Sequence, residues 1–212
     1  MRPARLVPAL VLASALAACS VSSAVEAQVE PERAATQQEP APELSMTLDF
    51  NTPESVAPWR AVNDGVMGGR SSGGPSFAPD AEQGGALVFA GTINTNGGGF
   101  SSIRAPLTPG QFANADGIRL KVLSDGRAYK LAFRTSQSWR GRSVSWQIPI
   151  EGGTPGQWSD VFAPFADAEA SVYGRSVNAG TFDPHDVREI GIIIADGVDG
   201  DFRLDVAEMG AG

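Results

Sequence analysis

Four groups of residues in this chain have the types and spacing to do chemistry. The stretch Val62 to Gly74, VNDGVMGGRSSGG, sets Gly68 and Gly69 before Arg70 and Ser71, with Asn63 and Asp64 upstream. A phosphate loop of the P-loop kind needs a lysine after its last glycine and a helix to receive the phosphate. Here arginine follows, and the surroundings are strand-like. Gly97, Gly98 and Gly99 are likewise followed by Phe100 and a strand pattern, not by a helix N-terminus able to hold a pyrophosphate. The second group is Asp196, Asp199 and Asp201 in DGVDGD, whose oxygens suit calcium. Their spacing departs from the EF-hand, and the alternative is a hairpin turn with solvated acids. The third is His185, the single histidine, in DPHDV. One histidine excludes a histidine-based metal site, and a proline-bounded turn explains the segment more simply than a Ser-His-Asp triad. The fourth is Trp139 in SQSWRGRS, where a loop tryptophan beside Arg140 and Arg142 suits either a sugar-stacking platform or a cover for the end of a sandwich.

The elements that must position these residues are strands. From Leu48 onward apolar residues recur with period two, in short runs bounded by Gly, Pro, Asn or Asp. Leu87, Phe89 and Ile93 share a face, as do Ile118, Leu120 and Val122; Tyr129, Leu131 and Phe133; Val144, Trp146 and Ile148; and Phe202, Leu204 and Val206. IGIIIA, Ile190 to Ala195, is apolar nearly throughout and predicts a central strand covered on both faces. With MTLDF, SSIRAPL and WSDVFAPF the count is about nine strands, which predicts an all-β antiparallel sandwich or jelly roll. Ala166 to Asp186 lacks strand signals and is expected to be a long loop with a helical turn at most.

The N-terminal residues carry a different message. Arg2 and Arg5 precede an apolar run, Leu6 to Ala18, too short for the roughly 20 residues a spanning helix needs, so residues 1–18 are expected to be a signal peptide. Leu16-Ala17-Ala18-Cys19 resembles a bacterial lipobox, with Cys19, the chain's one cysteine, as the lipidated N-terminus. Residues 19–45, rich in Ala, Glu, Gln, Pro and Ser, then read as the lipidated cysteine and a disordered tether to a domain at 46–212. Ser20 after Cys19 points to the outer membrane, facing the periplasm. The formal charge of −8 repels polyanions, so nucleic acid is not an expected partner, and membrane attachment is expected from lipid alone.

Trp59 with VNDGVMGGRS, then LVFAGTINTNGGGFSSIR, SDGRAYKLAFRT, QWSDVFAPF, YGRSV and IGIIIADGVDGDFRLDVAEM, together resemble the complex I intermediate-associated protein 30 family over Leu48 to Met209. The resemblance implies a galactose-binding-domain-like β-sandwich, no catalytic role and no cofactor. Mitochondrial members of that family assist assembly of NADH:ubiquinone oxidoreductase in the matrix, whereas Leu16 to Cys19 directs this chain outward. The expected partner is therefore a protein of unknown identity, with a glycan of the cell envelope as the alternative. Trp59, Asn63, Asp64, Gly68, Gly69, Arg70, Ser71, Gly98, Gly99, Phe100, Arg104, Trp139 and Arg175 are the signature or contact candidates. Asn63 and Asp64 are expected to brace the glycine turn through backbone N–H groups, with Arg70 meeting an acid, Asp64 foremost.

Overall fold

The computed structural model describes residues 46–80 and 82–212; the signal peptide, Cys19 and the tether read at 1–45 lie outside the described residues. Thirteen strands form two antiparallel sheets. The six-stranded sheet runs β3 (Ser72–Ala78), β4 (Ala86–Ile93), β13 (Gly200–Ala211), β6 (Gly117–Ser124) and β9 (Trp158–Pro164), with β1 (Thr47–Asp49) paired to the far end of β13. The seven-stranded sheet runs β11 (Arg175–Ser176), β10 (Glu169–Val172), β8 (Arg142–Ile150), β7 (Tyr129–Trp139), β12 (Glu189–Ile194), β5 (Ser101–Pro106) and β2 (Arg60–Asn63).

All five apolar triplets of the alternating strands are buried and join one core between the sheets. Alternation places them there, since successive side chains of a strand point to opposite faces. Each fully buried Leu, Ile or Phe contributes about 1.5–3 kcal/mol by leaving water. Within this core Phe133, Phe165 and Phe182 meet with centroids 5.2–5.9 Å apart, Phe165 edge-on to both others and Phe133 tilted against Phe182.

Two expectations are corrected. Ala166 to Asp186 is not one long loop: it holds β10, β11 and two short 3-10 turns. Its Ala-Ser-Val composition lacks the bulky alternation that marks a strand, because Ser171 faces away from the core while Ala170 and Val172 face inward. Nor is SQSWRGRS a loose connection. Trp139 ends β7 and Arg142 begins β8, joined by a two-residue turn at Arg140 and Gly141. The half-buried Trp139 packs on the core, with the Arg140 guanidinium 4.5 Å from its ring centroid.

β12 is interior to its sheet, as read, but only one of its faces lies in the core. Ile190, Ile192 and Ile194 are buried between the sheets, while Gly191 and Ile193 belong to the opposite face. That opposite face is where the site lies.

Candidate functional site

The glycine-rich signature forms a knot around one carboxylate. After β2 the chain makes a 3-10 turn, Asp64–Met67, ended by Gly68 in the left-handed region at φ +88°, and then enters β3. Asp64 is fully buried. Its carboxylate accepts from the Ser71 N–H at 2.9 Å and the Ser71 hydroxyl at 2.6 Å. From the other segment it accepts the N–H groups of Gly99 at 2.6 Å and Phe100 at 3.3 Å. Gly69 and Gly98 press on it from two sides, and a Cβ on either would collide with the carboxylate. Burial pushes the Asp64 carboxyl upward, yet the Ser71 hydroxyl and the three N–H groups outweigh it and hold it below the usual aspartate range.

The cradle resembles an anion site, and the anion in it is the protein's own side chain. Asp64 therefore braces the turn through backbone N–H groups, as expected. Asn63 does so differently: it donates to the Gly73 carbonyl at 3.0 Å and accepts from the Ser101 hydroxyl at 2.6 Å. The expected Arg70–Asp64 pair does not form. Arg70 is exposed and has no ion-pair partner among the described residues, because the buried carboxylate is already saturated by uncharged donors. Trp59 is a core residue, edge-on to Phe50 at 5.9 Å.

The acidic loop is also closed from within. Arg127 forks onto Asp196 with contacts of 2.7 and 2.9 Å. Its remaining N–H groups go to the carbonyls of Gly200 and Asp201, each at 2.9 Å, and of Val198. Asp199 accepts from the Thr95 N–H and Asp201 from the Thr92 hydroxyl. The three carboxylates thus have separate partners, Arg127 for Asp196, Thr95 for Asp199 and Thr92 for Asp201, as the hairpin alternative has it, and no group of three potential metal ligands occurs among the described residues. His185 sits exposed in a 3-10 turn whose Asp183 side chain accepts the His185 N–H at 3.0 Å.

A concavity of about 1030 Å³ lies on the outer face of the seven-stranded sheet. Its floor holds the polar phase of the strands, the residues that alternate with the core triplets. Six cations line it, Arg60, Arg104, Lys130, Arg134, Arg142 and Arg188, against two acids, Glu189 and Asp196. Asp196 is engaged by Arg127, which leaves Glu189 to serve both Arg60 and Arg104, the latter at 3.5 Å. Burial, then the nearby charge of Arg134, depress the Arg104 pKa; Glu189 opposes this in part. The guanidinium stays charged. The signature knot forms one wall, since Val66, Met67 and Phe100 line the groove, and Tyr173 stands at the other. A second hollow of about 700 Å³ lies beside β7, β8 and Ala166 to Glu169.

Of the sequence candidates, the structure brings Phe100 and Arg104 into the groove and gathers Asn63, Asp64, Gly69, Ser71, Gly98 and Gly99 behind its wall. Trp139 and Arg175 are not among the groove residues, and Arg175 is exposed on β11. Arg142 was noted only as a neighbour of Trp139, and Arg60, Lys130, Arg134, Tyr173 and Glu189 were not singled out by sequence. Their signal was the polar phase of strands such as YKLAFRT, where Lys130 and Arg134 alternate with the core residues.

The sequence profile of the complex I intermediate-associated protein 30 family matches residues 48–206. The chain belongs to that family. Two curated relatives, each named as a probable mitochondrial complex I intermediate-associated protein 30, come from Caenorhabditis elegans, 32% identical over 105 residues, and Caenorhabditis briggsae, 31% over 105 residues. Each match covers 47% of this chain and 30% of the relative, so this member of the complex I intermediate-associated protein 30 family corresponds to under a third of their length. Among solved structures, the family 11 carbohydrate-binding module of a cellulosomal cellulase from Clostridium thermocellum superposes with a TM-score of 0.60 at 17% identity, covering 79% of this chain and 94% of the module. The same module has been solved with a β-1,3-1,4-mixed-linked tetrasaccharide, again at a TM-score of 0.60. This family member therefore has a two-sheet sandwich of the carbohydrate-binding-module kind.

Proposed function

We propose that this chain is a non-catalytic binding module that receives a protein partner on the outer face of its seven-stranded sheet, acting as a scaffold or assembly chaperone. The observation that carries the reading is the groove itself: a continuous sheet face paved with arginines and a lysine, which no other described element of the chain covers. Membership in a family named for association with an assembly intermediate supports a protein as the occupant. The lipobox-like Leu16-Ala17-Ala18-Cys19 supports attachment by lipid to the envelope, facing the periplasm, and hence a partner in that compartment. Incorporation of labelled palmitate that persists in Cys19→Ala would refute the anchor.

A photo-crosslinking residue placed at Ser145, on the groove floor, is expected to capture one defined envelope protein. The same residue at Asp160, on the six-stranded sheet, is expected to capture none. Equal capture at both positions would sink the assignment of the face. A carbohydrate partner is the second reading, favoured by Tyr173, 70% exposed at the groove wall. Binding to an uncharged glycan array that is lost in Tyr173→Ala would favour it over the protein.

A further inference from the structure

We propose that the groove's occupant is an extended acidic segment of the partner protein, and that Arg104 and Arg134 form its carboxylate subsite. This rests on the groove being the binding face. The chain as a whole is acidic, at −8, so the cation-rich floor is a local inversion of charge. Arg104 is directly opposite Arg60 in the β2–β5 register, and like charges so placed repel. Arg134 is opposite Glu189 on β12. Arg60 and Arg104 thus share a single carboxylate, while Arg134 donates to the Ser143 carbonyl at 3.4 Å and has no ion-pair partner among the described residues, so one more anion would be stabilised here.

Arg104 is also built in, not draped on the surface. Its stem lies against Gly191, where a Cβ would crowd the arginine at 3.0 Å and the backbone beneath at 2.5 Å. The side chain is only 17% exposed, and its Nε is buried without a hydrogen-bond partner. A guanidinium held this way presents a fixed fork that matches a carboxylate.

The groove wall decides between an acidic protein and an acidic glycan. Val66 is 76% exposed and Met67 55%, offering apolar contact of the sort peptide side chains use. Arg142 lies over one face of the Tyr173 ring, 5.2 Å from its centroid, so a sugar has only the other face to stack on. Alternating acidic and apolar side chains satisfy both floor and wall.

Calorimetric titration of the full chain tests this with three probes: poly-L-glutamate, polygalacturonate and an uncharged β-glucan. Poly-L-glutamate is expected to bind, to weaken steeply as salt rises, and to bind about tenfold or more weakly to Arg104→Gln. Lys130→Gln, a change at a cation with no ion-pair partner among the described residues, is expected to weaken binding less while leaving the fold intact. Met67→Ser should also weaken poly-L-glutamate binding. Tighter binding of polygalacturonate than of poly-L-glutamate would overturn the peptide class, and failure of both polyanions would overturn the acidic ligand altogether. Crosslinking from Ser145 that proceeds unchanged in Arg104→Gln would then show the groove reading standing while the acidic class falls.

Discussion

Replacing Asp64 with asparagine removes a charge from the centre of the signature knot while keeping the side chain's shape. The carboxylate accepts four hydrogen bonds, three of them at Oδ2 and one, from the Ser71 N–H, at Oδ1. An amide can keep an oxygen at only one of these positions. If the oxygen stays at Oδ2, the new NH2 points at the Ser71 N–H, and a buried donor loses its acceptor at a cost of about 1–3 kcal/mol. The three surviving bonds become neutral, and charge-assisted bonds are roughly twice as strong as neutral ones. The expected loss is about 3–5 kcal/mol, a large share of the roughly 5–15 kcal/mol that holds a domain together. Equilibrium urea unfolding measures it as a fall in midpoint with unchanged slope. A loss below about 1 kcal/mol at unchanged slope would refute the idea that this carboxylate ties the two glycine segments. The Arg70→Ala change, by contrast, is expected to move stability by no more than about 0.5 kcal/mol and to add independently to Asp64→Asn in a double-mutant cycle.

The folded-state pKa of Asp64 is lowered, as is that of Asp196 through its Arg127 hydrogen bonds. Their stabilisation is therefore complete above the unfolded value of about 3.9 and is lost as pH falls through the lower folded values; the acid limb of a stability–pH curve should flatten in Asp64→Asn. Gly98→Ala should lower the unfolding midpoint about as much as Asp64→Asn does, since its Cβ falls on the carboxylate; a neutral outcome would show that the loop yields freely. Arg127→Lys keeps the charge but cannot reach Asp196 and three carbonyls at once, and should cost about 2–4 kcal/mol in the same urea assay. Millimolar calcium should leave the wild-type thermal midpoint unchanged.

Nine of the thirteen strands were legible in the sequence, β12 as a nearly continuous apolar run and the rest chiefly as alternation, because bulky residues facing one core leave a period-two trace. The others hide for physical reasons. β2 is short and carries half-buried or exposed residues throughout, and β3 is an edge strand containing Gly73, Gly74 and Pro75, tolerable only where one side of the ladder is unpaired. β10 alternates small residues. The signature was recognisable as a pattern, but the partner of Asp64 was misassigned to Arg70, the cation of the same glycine loop. The actual donors at Gly99 and Phe100 lie 35 and 36 residues away, a proximity only the paired strands β2 and β5 create. The groove was missed because its lysine and arginines look, in sequence, like the solvated phase of ordinary strands. Only the topology shows that β2, β5, β12, β7 and β8 place that phase side by side.

Both loops that look built for a guest ion already contain one as part of the chain: a carboxylate among the glycines, a guanidinium among the acids. A site filled by a dissolved ion contributes stability that varies with the ion's concentration. These two counter-ions travel with the polypeptide at fixed stoichiometry. Their contribution at these two positions is then carried by the chain itself and moves with pH, because each counter-ion is a side chain whose local concentration dilution cannot change.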